Sequence, residues 1–147
     1  MIGIFKVWGG YLNYFFKLIC VSSIYALFYV IEAELMLNIY RISRFINLEV
    51  GTVSILIGLL ILILIISSTF IFYMLNKKFL KQNKWNYLGP FICLPIIFLF
   101  ISSFTNIFPM YNEGDRPIPI IGLVFTASLI LYPFYLLTVV RISTYDR

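Results

Sequence analysis

The stretch Val53–Leu75, VSILIGLLILILIISSTFIFYML, runs from end to end without a charged side chain. At about 1.5 Å per residue such a helix reaches roughly 34 Å, enough to cross a hydrocarbon core of about 30 Å. Two further runs, Tyr87–Phe108 and Ile118–Val140, are uncharged and of similar length, and read the same way. A fourth, Tyr14–Ile31, is interrupted only by Lys17, one turn in, whose long stem can return its ammonium to the headgroups. No A-x-A-like site follows this run, so a cleaved signal peptide fits it poorly. The spacing predicts an all-α membrane protein, a single four-helix domain with spans near 14–31, 53–75, 87–108 and 118–140.

Composition agrees. The chain has 147 residues, 62% hydrophobic and 12% charged, with mean hydropathy +1.00. A soluble domain carries about 25% charged residues, so this chain has too little polar surface to cover a water-soluble globule. A soluble enzyme and a disordered chain are both nearly ruled out on that ground. There is no histidine, which removes imidazole acid–base chemistry, His metal sites and Ser–His or Cys–His pairs. Cys20 and Cys93 lie in apolar runs and read as small buried hydrophobes. Lys17-Leu18-Ile19 before Cys20 does not suit a lipid-attachment signal. No Gly-rich phosphate loop, calcium loop or N-glycosylation triplet occurs. No cofactor and no nucleic-acid partner is expected; membrane lipids are.

Charge sets an expected orientation. The connection NKKFLKQNK, Asn76–Lys84, carries Lys77, Lys78, Lys81 and Lys84 and no acid. The positive-inside rule places it in the cytoplasm, and four crossings then return both termini there. The inner segments hold Lys6, Lys17, the four loop lysines, Arg141 and Arg147 against Asp146, a net +7. The outer ones hold Arg41, Arg44 and Arg116 against Glu32, Glu34, Glu49, Glu113 and Asp115, a net −2. Trp8, Trp85 and Tyr87 suit the inner interface and Tyr111 the outer one. A compact four-span chain without glycosylation triplets suits a bacterial inner (plasma) membrane.

Two segments are expected outside the bilayer. In Glu32–Gly51, Leu35, Ile39, Ile42 and Ile46 share one helical face, with Glu34, Asn38, Arg41 and Arg44 on the other. This predicts a short amphipathic helix in the first outer loop, or a continuation of the first span. Pro109–Pro117, PMYNEGDRP, has the chemistry of a tight turn. Glu113 and Asp115 in it read as a solvated turn, and Arg116, fixed between Asp115 and Pro117, as a fork for a partner's carboxylate. Glu34, Arg41, Arg44, Glu113, Asp115 and Arg116 are therefore the candidate partner-binding residues.

Within the spans no ionisable residue is expected near the midplane, which argues against an ion-coupled carrier. Serines and threonines are frequent but have no base beside them, so the chain is not expected to be an enzyme. Ser54 and Gly58 form a small-xxx-small pair expected to pack inside the bundle. Pro95 and Pro133 predict kinks, and the two helix pairs show no repeat.

The last third combines a proline-bearing third span, a short turn with Gly114, Arg116 and Pro117, and an aromatic-rich fourth span. With the Ile-, Phe-, Tyr-, Asn- and Lys-rich composition, this resembles the immunity proteins that protect producers of pore-forming colicins, of the colicin A type. The local resemblance is confined to that last third of the chain. It implies four spans with both ends cytoplasmic, and a protein that meets a toxin's inserted helices in the bilayer and stops the pore from opening. Accessory subunit of a larger transport, secretion or envelope-biogenesis complex is the alternative expectation, and a small channel or hydrophobic-solute carrier a third.

Overall fold

The computed structural model describes residues 2–80, 84–109 and 113–145, with side chains from residue 12 onward. The expectations for Lys6, Trp8, Lys81, Tyr111, Asp146 and Arg147 concern side chains outside these. Among the described residues there are five α-helices and no strand: α1 (Ile2–Leu37), α2 (Ile39–Ile46), α3 (Val50–Phe79), α4 (Gly89–Ile107) and α5 (Pro119–Tyr145). Short 3₁₀ turns, Lys84–Leu88 and Glu113–Asp115, lead into α4 and α5. Four helices are long and apolar enough to cross a membrane: Leu12–Leu37, Val50–Phe79, Lys84–Ile107 and Pro119–Tyr145. In hydrocarbon every backbone N–H and C=O must be satisfied within the helix, so long uninterrupted helices form despite the many β-branched isoleucines.

The helix α1 is the hub. It buries Leu18, Val21, Tyr25, Ala26 and Tyr29 against Phe72 of α3, Cys93 and Ile97 of α4, and Leu136 and Val139 of α5. The outer surface is apolar in turn: Leu62, Ile66, Leu123 and Leu131 are all more than half exposed. Such a surface has lipid as its natural solvent. Leu against Leu then gains little over Leu against an acyl chain, and close packing and hydrogen bonds between helices decide the arrangement.

Those bonds are tyrosine-centred. Tyr25 donates to Asn76 Oδ1 at 2.5 Å, fixing α1 on α3. Tyr132 donates to the Tyr25 carbonyl at 2.7 Å, and the hydroxyls of Tyr29 and Ser128 meet at 2.9 Å, fixing α5. Ser22 Oγ donates to the Gly89 carbonyl at 3.0 Å, and Tyr14 donates to Asn86, fixing the start of α4. A Cβ on Gly89 would lie 3.4 Å from both Leu18 and Ser22, so the glycine sets how closely α4 begins against α1.

Four expectations need correction. First, the helix does not stop at Ile31 but continues to Leu37, as the alternative reading of the first outer segment has it, so Glu32 and Glu34 lie inside α1. The cause is local: Tyr25, Tyr29, Glu32 and Met36 follow 4-3-4 spacing and keep the bundle-facing stripe going past the charge. Second, Gly58 is exposed with open space around it and Ser54 is only half-buried, so the glycine of the Ser54–Gly58 pair packs against no neighbouring helix in the interior. Third, the amphipathic segment is only the eight residues of α2; Leu35 belongs to α1. Fourth, Cys93 is buried as expected, but Cys20 is exposed on the apolar outer surface of α1, one position before the inward-facing Val21.

The connections are well defined. Asn38 separates α1 from α2, its Nδ2 donating to the Glu34 carbonyl and to Glu34 Oε2, both at 2.9 Å. At the far end of α2, Asn47 is left-handed with φ 54°, a conformation asparagine tolerates better than most residues. Its backbone N–H reaches the Ser43 carbonyl, and Ser43 Oγ donates to the Leu48 carbonyl at 2.6 Å. Pro90 and Pro119 sit in first turns, where a missing N–H costs nothing; Pro95 and Pro133 lie inside α4 and α5.

Candidate functional site

Three features could engage a partner: an ion pair at the end opposite the lysine-rich connection, a wide groove beside it, and a cleft on the other side of α1.

The ion pair joins two segments that the sequence leaves far apart. Arg44 Nη2 of α2 lies 2.6 Å from Asp115 Oδ2 in the turn before α5. Asp115 is 6% exposed at its side chain, while the Arg44 guanidinium is about half exposed at 54%. Asp115 therefore holds α2 to the turn rather than facing outward. Arg41 Nη1 reaches the Phe108 carbonyl at 3.4 Å, adding a second tie. Glu113 and Arg116 stay exposed. Of the six candidate residues, the structure thus brings Arg44 and Asp115 together, turns Arg41 toward the end of α4, pairs Glu34 with Asn38, and leaves Glu113 and Arg116 on the surface.

The groove lies between α1, α2 and α4 and has a volume of about 730 Å³. Leu27, Ile31, Phe100, Phe104 and Ile107 form its walls, with Glu34 and Arg41 at one end. Leu27, Ile31 and Phe100 are exposed, so the groove opens sideways to lipid. Phe45 of α2, 87% exposed, projects from the same end.

The cleft lies between α1, α3 and α5 and has a volume of about 420 Å³. Glu32 borders it, together with Ile61 and Ile65 of α3 and Val124 and Ser128 of α5. Ile65 stands next to the centre of the Val53–Leu75 run, and Val124 and Ser128 lie well inside α5. Glu32, half-buried, thus brings a carboxylate to a bundle-facing cleft from within the first of the four long apolar helices. Sequence reasoning missed the cleft because it ended the first span at Ile31; Glu32, three positions after Tyr29, continues the face that borders it. The lysine-rich connection holds four of the chain's eleven basic residues and no acid.

Among the described residues no group of three or more Cys, Asp or Glu converges where a metal could sit. Comparison with known proteins finds no matching family model, no matching curated protein and no matching solved structure.

Proposed function

We propose that this chain is a recognition protein of the bacterial inner membrane that seats a helix of a membrane-inserted partner in the groove between α1, α2 and α4. Its specific role in this reading is immunity to a pore-forming bacteriocin. The carrying observation is the groove itself: an apolar channel of about 730 Å³, open to lipid and walled by Leu27, Ile31, Phe100 and Phe104. In a bilayer such a gap is filled either by lipid tails or by a helix whose side chains interdigitate better than lipid does. With the lysine-rich connection cytoplasmic and both termini beside it, the groove opens in the outer half of the membrane, where an inserting toxin hairpin arrives. A helix held there is unable to complete the voltage-driven step that opens a pore.

The test is protection of sensitive cells. Cells expressing the chain should survive at least one member of a panel of pore-forming bacteriocins. Leu27→Trp, which fills the groove, should abolish that protection at unchanged membrane levels, and Leu62→Trp on the lipid side should preserve it. Equal killing across the panel with and without the chain would count against immunity. Stoichiometric co-purification of resident membrane subunits in mild detergent would then favour the accessory-subunit reading.

A further inference from the structure

We propose that the cleft between α1, α3 and α5 is a binding site for a lipophilic organic cation, whose charge meets the Glu32 carboxylate within the bilayer. A carboxylate on a membrane-spanning helix is costly, and acidic residues retained there face a cavity or a counter-charge. Glu32 has the cavity but no counter-charge of its own: among the described residues no hydrogen bond or ion pair to its carboxylate is made. No lysine or arginine lines the cleft, whereas Arg44 and Arg41 are engaged at the end of the bundle.

The surroundings select the kind of cation. Three tyrosines, Tyr29, Tyr132 and Tyr135, contribute ring surface to the walls. Aromatic faces attract cations, most strongly where water is excluded. Their hydroxyls are committed elsewhere: Tyr29 to Ser128, Tyr132 to the Tyr25 carbonyl, Tyr135 to Thr69. A hard metal ion, which needs six or more oxygen ligands, therefore finds one carboxylate and little else. A cation with its charge wrapped in apolar groups loses little hydration on entry and gains contact with Ile61 and Ile65 as well. The volume of about 420 Å³ is that of a drug-sized ligand. Ile65 and Leu131 at the rim are exposed on the lipid-facing surface, so a ligand already dissolved in the membrane enters from the side.

This site lies across α1 from the groove and does not depend on the immunity reading. The probe is tetraphenylphosphonium, titrated against the purified full chain in lipid nanodiscs, with empty nanodiscs subtracted to remove simple partitioning. A saturable component of one cation per chain is expected. Glu32→Gln should weaken it by roughly tenfold or more, since truncating one partner of a buried charge pair removes most of the pair's attraction. Leu131→Trp, placed at the mouth, should remove it while leaving Glu32 in place. Glu49→Gln, at the exposed start of α3, should leave it unchanged. Neutral triphenylphosphine oxide should not compete. Absence of a saturable component, or equal affinity in Glu32→Gln or Leu131→Trp chains that keep wild-type helicity and melting behaviour, overturns the proposal.

Discussion

Replacing Phe72 by alanine tests what holds this bundle together. The side chain is fully buried, its ring edge-on to Tyr25 at 4.7 Å and to Phe28 at 5.4 Å between centroids. In water its loss would combine a transfer term with a cavity term. Against lipid the transfer term nearly vanishes, because acyl chains are as apolar as the ring. The cavity remains: roughly 100 Å³ left empty at about 24 cal/mol per Å³ costs about 2.4 kcal/mol. Each edge-on aromatic pair adds about 0.5–1.5 kcal/mol. The expected destabilisation is therefore about 3–5 kcal/mol, a shift of roughly a hundredfold or more in the folded-to-unfolded ratio. Phe70, two positions away and 66% exposed, is the internal control. Lipid flows into the space its ring leaves, and Phe70→Ala should cost less than about 0.5 kcal/mol. Equilibrium unfolding of the full chain in bicelles, read by helicity, measures both. A Phe70→Ala loss as large as that of Phe72→Ala, or a Phe72→Ala loss under about 1 kcal/mol, would refute the assignment of the interior and lipid faces of α3.

Three other outcomes follow from the same structure. Arg44→Ala leaves the nearly buried Asp115 without that cation and should destabilise by about 1–3 kcal/mol, whereas Arg44→Ala combined with Asp115→Ala should recover part of the loss; strictly additive unfolding energies would contradict the pair. Tyr25→Phe deletes the hydrogen bond to Asn76 and should cost only about 0.6 kcal/mol and not more than about 2 kcal/mol, by the same unfolding assay. At Asn47, with φ 54°, glycine should be neutral or mildly stabilising, while valine should lower stability by about 1–2 kcal/mol; valine tolerated as well as glycine would contradict the left-handed end of α2.

The spans from Val53, Tyr87 and Ile118 were legible because an unbroken apolar run has few other readings, and α3, α4 and α5 cover them with only small shifts of boundary. The face shared by Ile39, Ile42 and Ile46 was legible as well, and α2 forms there. The end of the first span was not. Charge ordinarily marks the edge of hydrocarbon, and Glu32 and Glu34 carry that mark while sitting in a helix that runs on to Leu37. Which face of α3 meets lipid was equally hidden, since Leu and Ile occur all round it; the structure buries Val53, Ile57, Ser68 and Phe72 and leaves Gly58 open. The Arg44–Asp115 pair spans 71 positions, and only the packed bundle brings its ends together.

That pair also orders the molecule's assembly. Its basic half belongs to the hairpin made first and its acidic half to the last connection made, so the clasp closes only after α4 has brought that connection back to α2. Until then α2 rests on its neighbours α1 and α3, without the tie that Asp115 adds in the finished bundle.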